Sequence, residues 1–171
     1  MKKYLLIFIF LGMYLNSSAE ENESITNSDT IYNGITGTAH TDILNTGTIK
    51  NDGSHGITGS SFSLIQNFGT ISNNGDYGID VSGDSVIVNG NGGKISNNGS
   101  FGIRLIDGKK VSNLGIINNK GEYGITAYST KEAINEKSGI ISNDGNTGFY
   151  IHNSTGTNDG TISNSGNYGF T

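Results

Sequence analysis

The chain has 171 residues, with 27 Gly, no Pro, no Cys and no Trp, and a formal net charge of −5 from ten basic and fifteen acidic residues. Without cysteine there is no disulfide framework and no thiolate metal site, and with Arg104 as the sole arginine there is no basic stripe to hold nucleic acid. Disorder is excluded by spacing rather than amount, because Ile, Thr, Tyr and Phe recur at set positions along what length suggests is one domain.

Residues 1–19 read as a secretory signal. Lys2 and Lys3 supply the positive start, Tyr4 to Leu15 a mainly apolar run of twelve residues, and Ser17-Ser18-Ala19 a small-residue cleavage site that leaves Glu20 first in the mature chain. The run is short of the roughly 20 apolar residues of a membrane-spanning helix. Losing Lys2 and Lys3 leaves eight basic against fifteen acidic residues, a charge of −7. Export sets the expected compartment outside the cytoplasm.

Residues 20–42 form a polar lead-in segment or N-terminal cap with one degenerate copy of a motif, Ile31-Tyr32-Asn33-Gly34-Ile35. From 43 to 171 the copies are clear. A glycine opens each unit at 47, 69, 93, 115, 139 and 160, with spacings of 22, 24, 22, 24 and 21. Two residues later stands Ile49, Ile71, Ile95, Ile117, Ile141 or Ile162, and two further on Asn51, Asn73, Asn97, Asn119, Asn143 or Asn164. A glycine follows (Gly53, Gly75, Gly99, Gly121, Gly145, Gly166). After it comes a mainly aromatic position (His55, Tyr77, Phe101, Tyr123, Thr147, Tyr168), then an invariant glycine (Gly78 in the second unit) and an apolar residue (Ile79).

Tyr77, Ile79 and Val81 alternate with Gly78, Asp80 and Ser82, the period of a strand with one buried face. Asn73-Asn74-Gly75-Asp76 is a turn sequence whose Asn and Gly tolerate left-handed backbone. A looser third segment precedes each opening glycine, with Ile43, Ile65, Val88, Val111 and Ile134 as its apolar members. Antiparallel hairpins would not bring equivalent residues together. A parallel coil stacks each residue on its own kind, about 4.8 Å apart. The fold expected is therefore all-β, a right-handed parallel β-helix or solenoid of about six coils with a period of 21–24 residues. The isoleucines fill the interior with aromatics stacked beside them, and the asparagines form a side-chain amide ladder.

The signal followed by Gly69-Thr70-Ile71-Ser72-Asn73-Asn74-Gly75-Asp76-Tyr77-Gly78-Ile79 and by its variant at 160–170 resembles the passenger region of Gram-negative autotransporters. The resemblance implies display at the cell surface, association with the outer membrane, and adhesion, aggregation or structural display. Partners would be a host or neighbouring-cell surface or other copies of the chain. Such proteins carry a C-terminal barrel of roughly 10-residue alternating strands, which residues 20–171 do not supply. The expectation is a fragment of a longer passenger, with a complete short secreted solenoid as the alternative.

No catalytic, cofactor-binding or metal residues are assigned, and the protein is not expected to be an enzyme. Asp80 and Arg104 share an outward position on successive coils, the feature nearest to a lyase-like, polysaccharide-acting site; an exposed ion pair worth at most about 1 kcal/mol is the plainer reading. His40, His55 and His152 fall at different places in the period, so they build no zinc site. Gly92-Gly93-Lys94-Ile95-Ser96-Asn97 lacks the third glycine and the Asp of a calcium-binding nonapeptide, and no Gly-x-Ser-x-Gly elbow occurs. Asp52, Asp144 and Asp159 read as solvated turn residues. Tyr128, Tyr150 and Ile106, with excursions at Ser60–Ser63 and Tyr128–Lys137, mark a candidate contact face. An inert spacer for a missing domain is the third functional alternative.

Overall fold

The computed structural model describes residues 22–61 and 63–171; the expected cleavage site at Ala19 and Glu20 lies outside them. Every element there is a strand, and the strands sort into three seven-stranded parallel sheets, each coil contributing one strand to each. Sheet A holds Glu23–Asn27, Thr41–Asn45, Leu64–Asn67, Val86–Asn89, Lys110–Asn113, Glu132–Asn135 and Gly156–Asn158. Sheet B holds Thr30–Ile31, Thr48–Asn51, Thr70–Asn73, Lys94–Asn97, Ile116–Asn119, Ile140–Asn143 and Thr161–Asn164. Sheet C holds Ile35–Thr36, His55–Gly59, Tyr77–Ser82, Phe101–Ile106, Tyr123–Tyr128, Thr147–His152 and Tyr168–Phe170. The protein is an all-β parallel solenoid.

It has seven coils rather than about six, because residues 23–36 supply strands that pair in register with the coil above. That coil was hard to see because Asp29 stands where later units have their opening glycine, one residue before the paired Thr30 and Thr48. The stretch Tyr128–Lys137 is likewise no excursion, since Glu132–Asn135 within it is a regular strand of sheet A.

Four columns of side chains fill the interior. Sheet B contributes Ile49, Ile71, Ile95, Ile117 and Ile141, all fully buried, each removing enough apolar surface to contribute about 1.5–3 kcal/mol. Sheet C contributes two, one of Ile57, Ile79, Ile103, Ile125 and Phe149 and beside it one of Val81, Leu105 and Ala127 continued by Ile151. Sheet A contributes Ile43, Ile65, Ile87, Val111 and Ala133, so the inward residues are Ile87 and Ala133 and not Val88 and Ile134. The strand ends fix this parity: Asn89 and Asn135 point inward, and a period of two then sends the residue next to each outward. The sheet A column shrinks along the rod to Gly156 while the first sheet C column grows to Phe149 and Phe170. At Gly156 a Cβ would lie 2.6 Å from Ile151 Cδ1 and 3.1 Å from Phe170 Cζ, so Ile151 and the Phe170 ring occupy the volume that sheet A gives up.

Two asparagine ladders run along the rod, one from the first coil and one from the second, where the sequence pattern pointed to one. At the corner from sheet B to sheet C, each amide donates to the next through Asn51, Asn73, Asn97, Asn119, Asn143 and Asn164, at 2.7–3.0 Å. At the corner from sheet A to sheet B the same pattern links Asn27, Asn45, Asn67, Asn89, Asn113, Asn135 and Asn158. In most rungs Nδ2 also reaches a backbone carbonyl across the corner, as Asn97 does to Asp76 O at 3.2 Å, so the amide's donors are used while its oxygen accepts from the coil below. Most glycines of these two corners are explained by proximity and not by left-handed backbone, Gly92 with φ 85° being the exception. A Cβ on Gly99 would lie 2.2 Å from Gly75 O and 2.6 Å from Asp76 Cα. Left-handed φ instead gathers at the corner from sheet C back to sheet A, at His40, Gly83, Asp107, Ser129 and Asn153.

Candidate functional site

The outer face of sheet C departs most from repetition. A straight strand would send Tyr77 and Ile79 to the same side, and the sequence pattern placed the aromatics beside the interior column. The chain bends at Gly78 instead. A Cβ there would lie 2.5 Å from Gly102 O and 2.6 Å from Ile95 Cγ2, so only glycine lets the backbone press inward while Tyr77 stays half-buried outside. His55, Tyr77, Phe101 and Tyr123 then stack as a ladder, with centroids 4.8, 5.1 and 5.3 Å apart and ring planes within 12° of one another. This offset stacking contributes about 0.5–1.5 kcal/mol per pair beyond area burial.

Beside the ladder, Arg104 reaches down one coil to Asp80. Nε donates to Oδ1 at 2.7 Å and a terminal nitrogen to Oδ2 at 2.8 Å, a bidentate fork. The guanidinium carbon lies 4.2 Å from the Tyr77 ring centroid, and His55 Nε2 is 3.4 Å from Asp80 Oδ2. With side chains only 15% (Asp80) and 26% (Arg104) exposed, this is a packed cluster and not the exposed pair that the sequence suggested. The hydrogen bond to Asp80 pushes the Arg104 pKa up, so the guanidinium holds its charge while the carboxylate is occupied by its own chain.

The same outward column continues through Thr126 to Tyr150. Tyr150 leans down onto the coil below, 5.5 Å from both Tyr123 and Tyr128 and tilted by 57° to each. Thr126 lies in the row between those two tyrosines and is 1% exposed, and its hydroxyl has no hydrogen-bond partner. Burial raises the Tyr128 phenol above its ordinary value, and a hydrogen bond with Tyr150 adds to the rise. His152 packs against Tyr128 at 5.5 Å, and Ile106 is half-buried one coil below in the same column as Tyr128.

The three histidines are not brought together, and among the described residues no group of three or more His, Cys, Asp or Glu is placed to hold a metal. Asp52 and Asp144 are exposed, yet each accepts a side-chain hydrogen bond from the coil above, from Asn74 at 2.5 Å and Ser165 at 3.4 Å. The arginine over Tyr77 was missed in the sequence, although a signal existed: Arg104 stands one period above Asp80, three residues past that unit's aromatic. Comparison with known proteins gives no matching family, no matching curated protein and no matching solved structure.

Proposed function

We propose that the chain is an exported, surface-displayed solenoid of the autotransporter-passenger kind, acting without catalysis in adhesion or self-association, and that the outer face of sheet C makes the contact. The observation that carries this reading is where the irregularity lies. The strands of sheet B present mainly Ser, Thr, Asn and Lys outward, with Ile116 and Ile140 as apolar exceptions and no aromatic ring, around an unvaried isoleucine column, whereas sheet C presents Ile106, Tyr128, Tyr150 and the aromatic ladder. A scaffold that needs only to stack has no use for large, varied, partly exposed rings on one side, and such rings are the groups that supply contact energy. The amino-terminal signal pattern supports export.

The test compares beads coated with the whole chain for binding to cells and to one another. The triple substitution Ile106→Ser, Tyr128→Ser, Tyr150→Ser is expected to abolish capture. Ser72→Ala, Ser96→Ala, Ser142→Ala on sheet B is expected to leave it unchanged. Equal capture by both variants would remove the sheet C assignment.

The alternative of a polysaccharide-acting enzyme gains one observation, His55 beside Asp80 and Arg104. Against it, both oxygens of Asp80 already accept from Arg104. Acidic polysaccharide incubated with the protein and Ca²⁺ is expected to yield no unsaturated or reducing product.

A further inference from the structure

The aromatic ladder on sheet C misses one rung. Below the gap the sequence runs His55, Tyr77, Phe101, Tyr123; above it stands Tyr168; between them the same register position holds Thr147. Tyr123 and Tyr168 are therefore two coils apart with no ring of their own column between them. Tyr150, from the neighbouring column, leans against Tyr123 and forms one wall. What remains is a groove of about 270 Å³ lined by Tyr123, Asn146, Tyr150, Tyr168 and Thr171, with Thr147, itself 2% exposed, as its floor.

The lining states what would fit. Three phenol rings offer apolar faces and edges, and no lining side chain carries a charge. An amide and hydroxyls stand at the rim. Asn146 Oδ1 already accepts from Asn167 at 2.7 Å, which turns the Asn146 amide nitrogen into the available donor. Pockets of aromatic walls with a few placed polar groups select a ligand by shape and hydrogen bonding. A pyranose has both halves of the match: a C–H face to lie against a ring and hydroxyls to exchange hydrogen bonds with an amide and phenols. An anionic sugar would give up hydration for its carboxylate with no cation in the lining to receive it.

We infer that the vacant rung at Thr147 is a binding slot for one neutral pyranose unit of a glycan. This rests on the adhesion reading and gives it a ligand class.

The slot can be filled from within. Thr147→Tyr would restore the ladder and occupy the slot with a residue that the same position carries in other coils. The whole chain, with and without this substitution, is titrated with methyl β-galactoside, methyl α-mannoside, N-acetylglucosamine and glucuronate. Saturation-transfer NMR and tyrosine emission, the latter unobscured because the chain has no Trp, give the readout. At least one neutral sugar is expected to bind saturably and more tightly than glucuronate, and T147Y is expected to weaken it at least about tenfold with an unchanged strand spectrum. If T147Y does not fold, Tyr168→Ala, at a site 56% exposed, removes one wall and is expected to have the same effect.

No saturable binding by any neutral sugar, or binding that survives both substitutions, overturns the slot. Bead capture on cells separates this from the broader reading. Capture by the parent chain that persists in T147Y refutes the slot and leaves adhesion standing, while no capture by either refutes adhesion. Capture lost in T147Y without free-sugar binding refutes the pyranose as occupant.

Discussion

Two kinds of corner hold the three sheets together. The turns from sheet A to B and from B to C are closed by continuous amide ladders and by glycines pressed against the carbonyl of the coil below. Among the described residues, the turn from C back to A has no such ladder. It uses left-handed residues at Gly83, Asp107, Ser129 and Asn153, with hydroxyls that donate to backbone carbonyls both locally, as Ser85 Oγ to Ser82 O at 3.0 Å and Ser154 Oγ to His152 O at 2.9 Å, and on the coil below, as Ser85 Oγ to Ser60 O at 3.1 Å, Thr130 Oγ to Leu105 O at 3.3 Å and Ser154 Oγ to Ala127 O at 3.2 Å. The first kind repeats one residue type because each rung is the hydrogen-bond partner of the next. The second kind needs only a backbone shape and a nearby hydroxyl, so its residues vary. That difference teaches where the rod is rigidly specified and where it tolerates change, and substitutions at the two kinds of corner test it.

The largest effect is expected at an amide-corner glycine. Gly99→Ala would place a methyl 2.2 Å from Gly75 O and 2.6 Å from Asp76 Cα, both backbone atoms that cannot step aside without shifting a coil. A loss of about 3 kcal/mol or more in denaturant unfolding is expected, in the range of severe overpacking. A loss below about 0.5 kcal/mol, the ordinary surface range, would mean that the corner is looser than its geometry requires.

Next in size is a ladder rung. Asn97 accepts from Asn73 at 2.9 Å and donates to Asn119 at 3.0 Å and to Asp76 O at 3.2 Å while only 1% exposed. Asn97→Ala strands a donor below and an acceptor above, and each unsatisfied buried group costs about 1–3 kcal/mol. Asn113→Ala on the other ladder, fully buried between Asn89 and Asn135, is expected to cost a similar amount. A wide disparity between the two would show that the corners called alike here are not alike.

The legibility of the fold follows the same division. The B-to-C ladder was readable because Asn51 through Asn164 keep one distance from the opening glycine. The A-to-B ladder was hidden by insertions of two residues: Asn45, Asn67 and Asn113 stand two before that glycine, but Asn89 and Asn135 stand four before Gly93 and Gly139, which scrambles the register of anyone counting from the glycine. The same insertions misplaced Val88 and Ile134. The Asp80 and Arg104 column was legible as adjacency, but its burial was not, since the bend at Gly78 that sets Tyr77 beneath the guanidinium is a packing result and has no signature in a period-two pattern. Thr147 was visible as a break in the aromatic column; that the break leaves a groove depends on where Tyr150 leans.

At the hydroxyl corner the expected sign reverses. Ser129 holds φ at 47° while exposed, a conformation that costs a non-glycine residue about 1–2 kcal/mol. Ser129→Gly removes that strain and adds some unfolded-state freedom, leaving a net gain of about 0.5 kcal/mol. The Ser129 amide donates to His152 O at 2.8 Å, and glycine keeps that bond. Destabilisation by this change would show that the side chain holds the corner.

The smallest effect concerns what links coils beside this corner in place of a ladder. Tyr128 ends its strand immediately before the left-handed Ser129, and its ring meets Tyr150 of the next coil at 5.5 Å. Burial, then the hydrogen bond with Tyr150, raises its pKa above the ordinary 10.0. A phenol whose folded pKa exceeds its unfolded value adds stability that is fully present below the unfolded value and is lost as pH rises through the folded one. Stability is therefore expected to be insensitive to this group at neutral pH and to fall on the alkaline side of 10.0, with Tyr128→Phe removing that component of the fall. Because Tyr128 is 37% exposed, the effect is small, and its measurement is the difference between the two unfolding curves at matched alkaline pH. Identical pH dependence in the parent and in Tyr128→Phe would mean that the two tyrosines touch without sharing a proton-dependent bond, leaving the hydroxyl corner to be joined coil to coil by its backbone and by the hydroxyls that reach a carbonyl of the coil below.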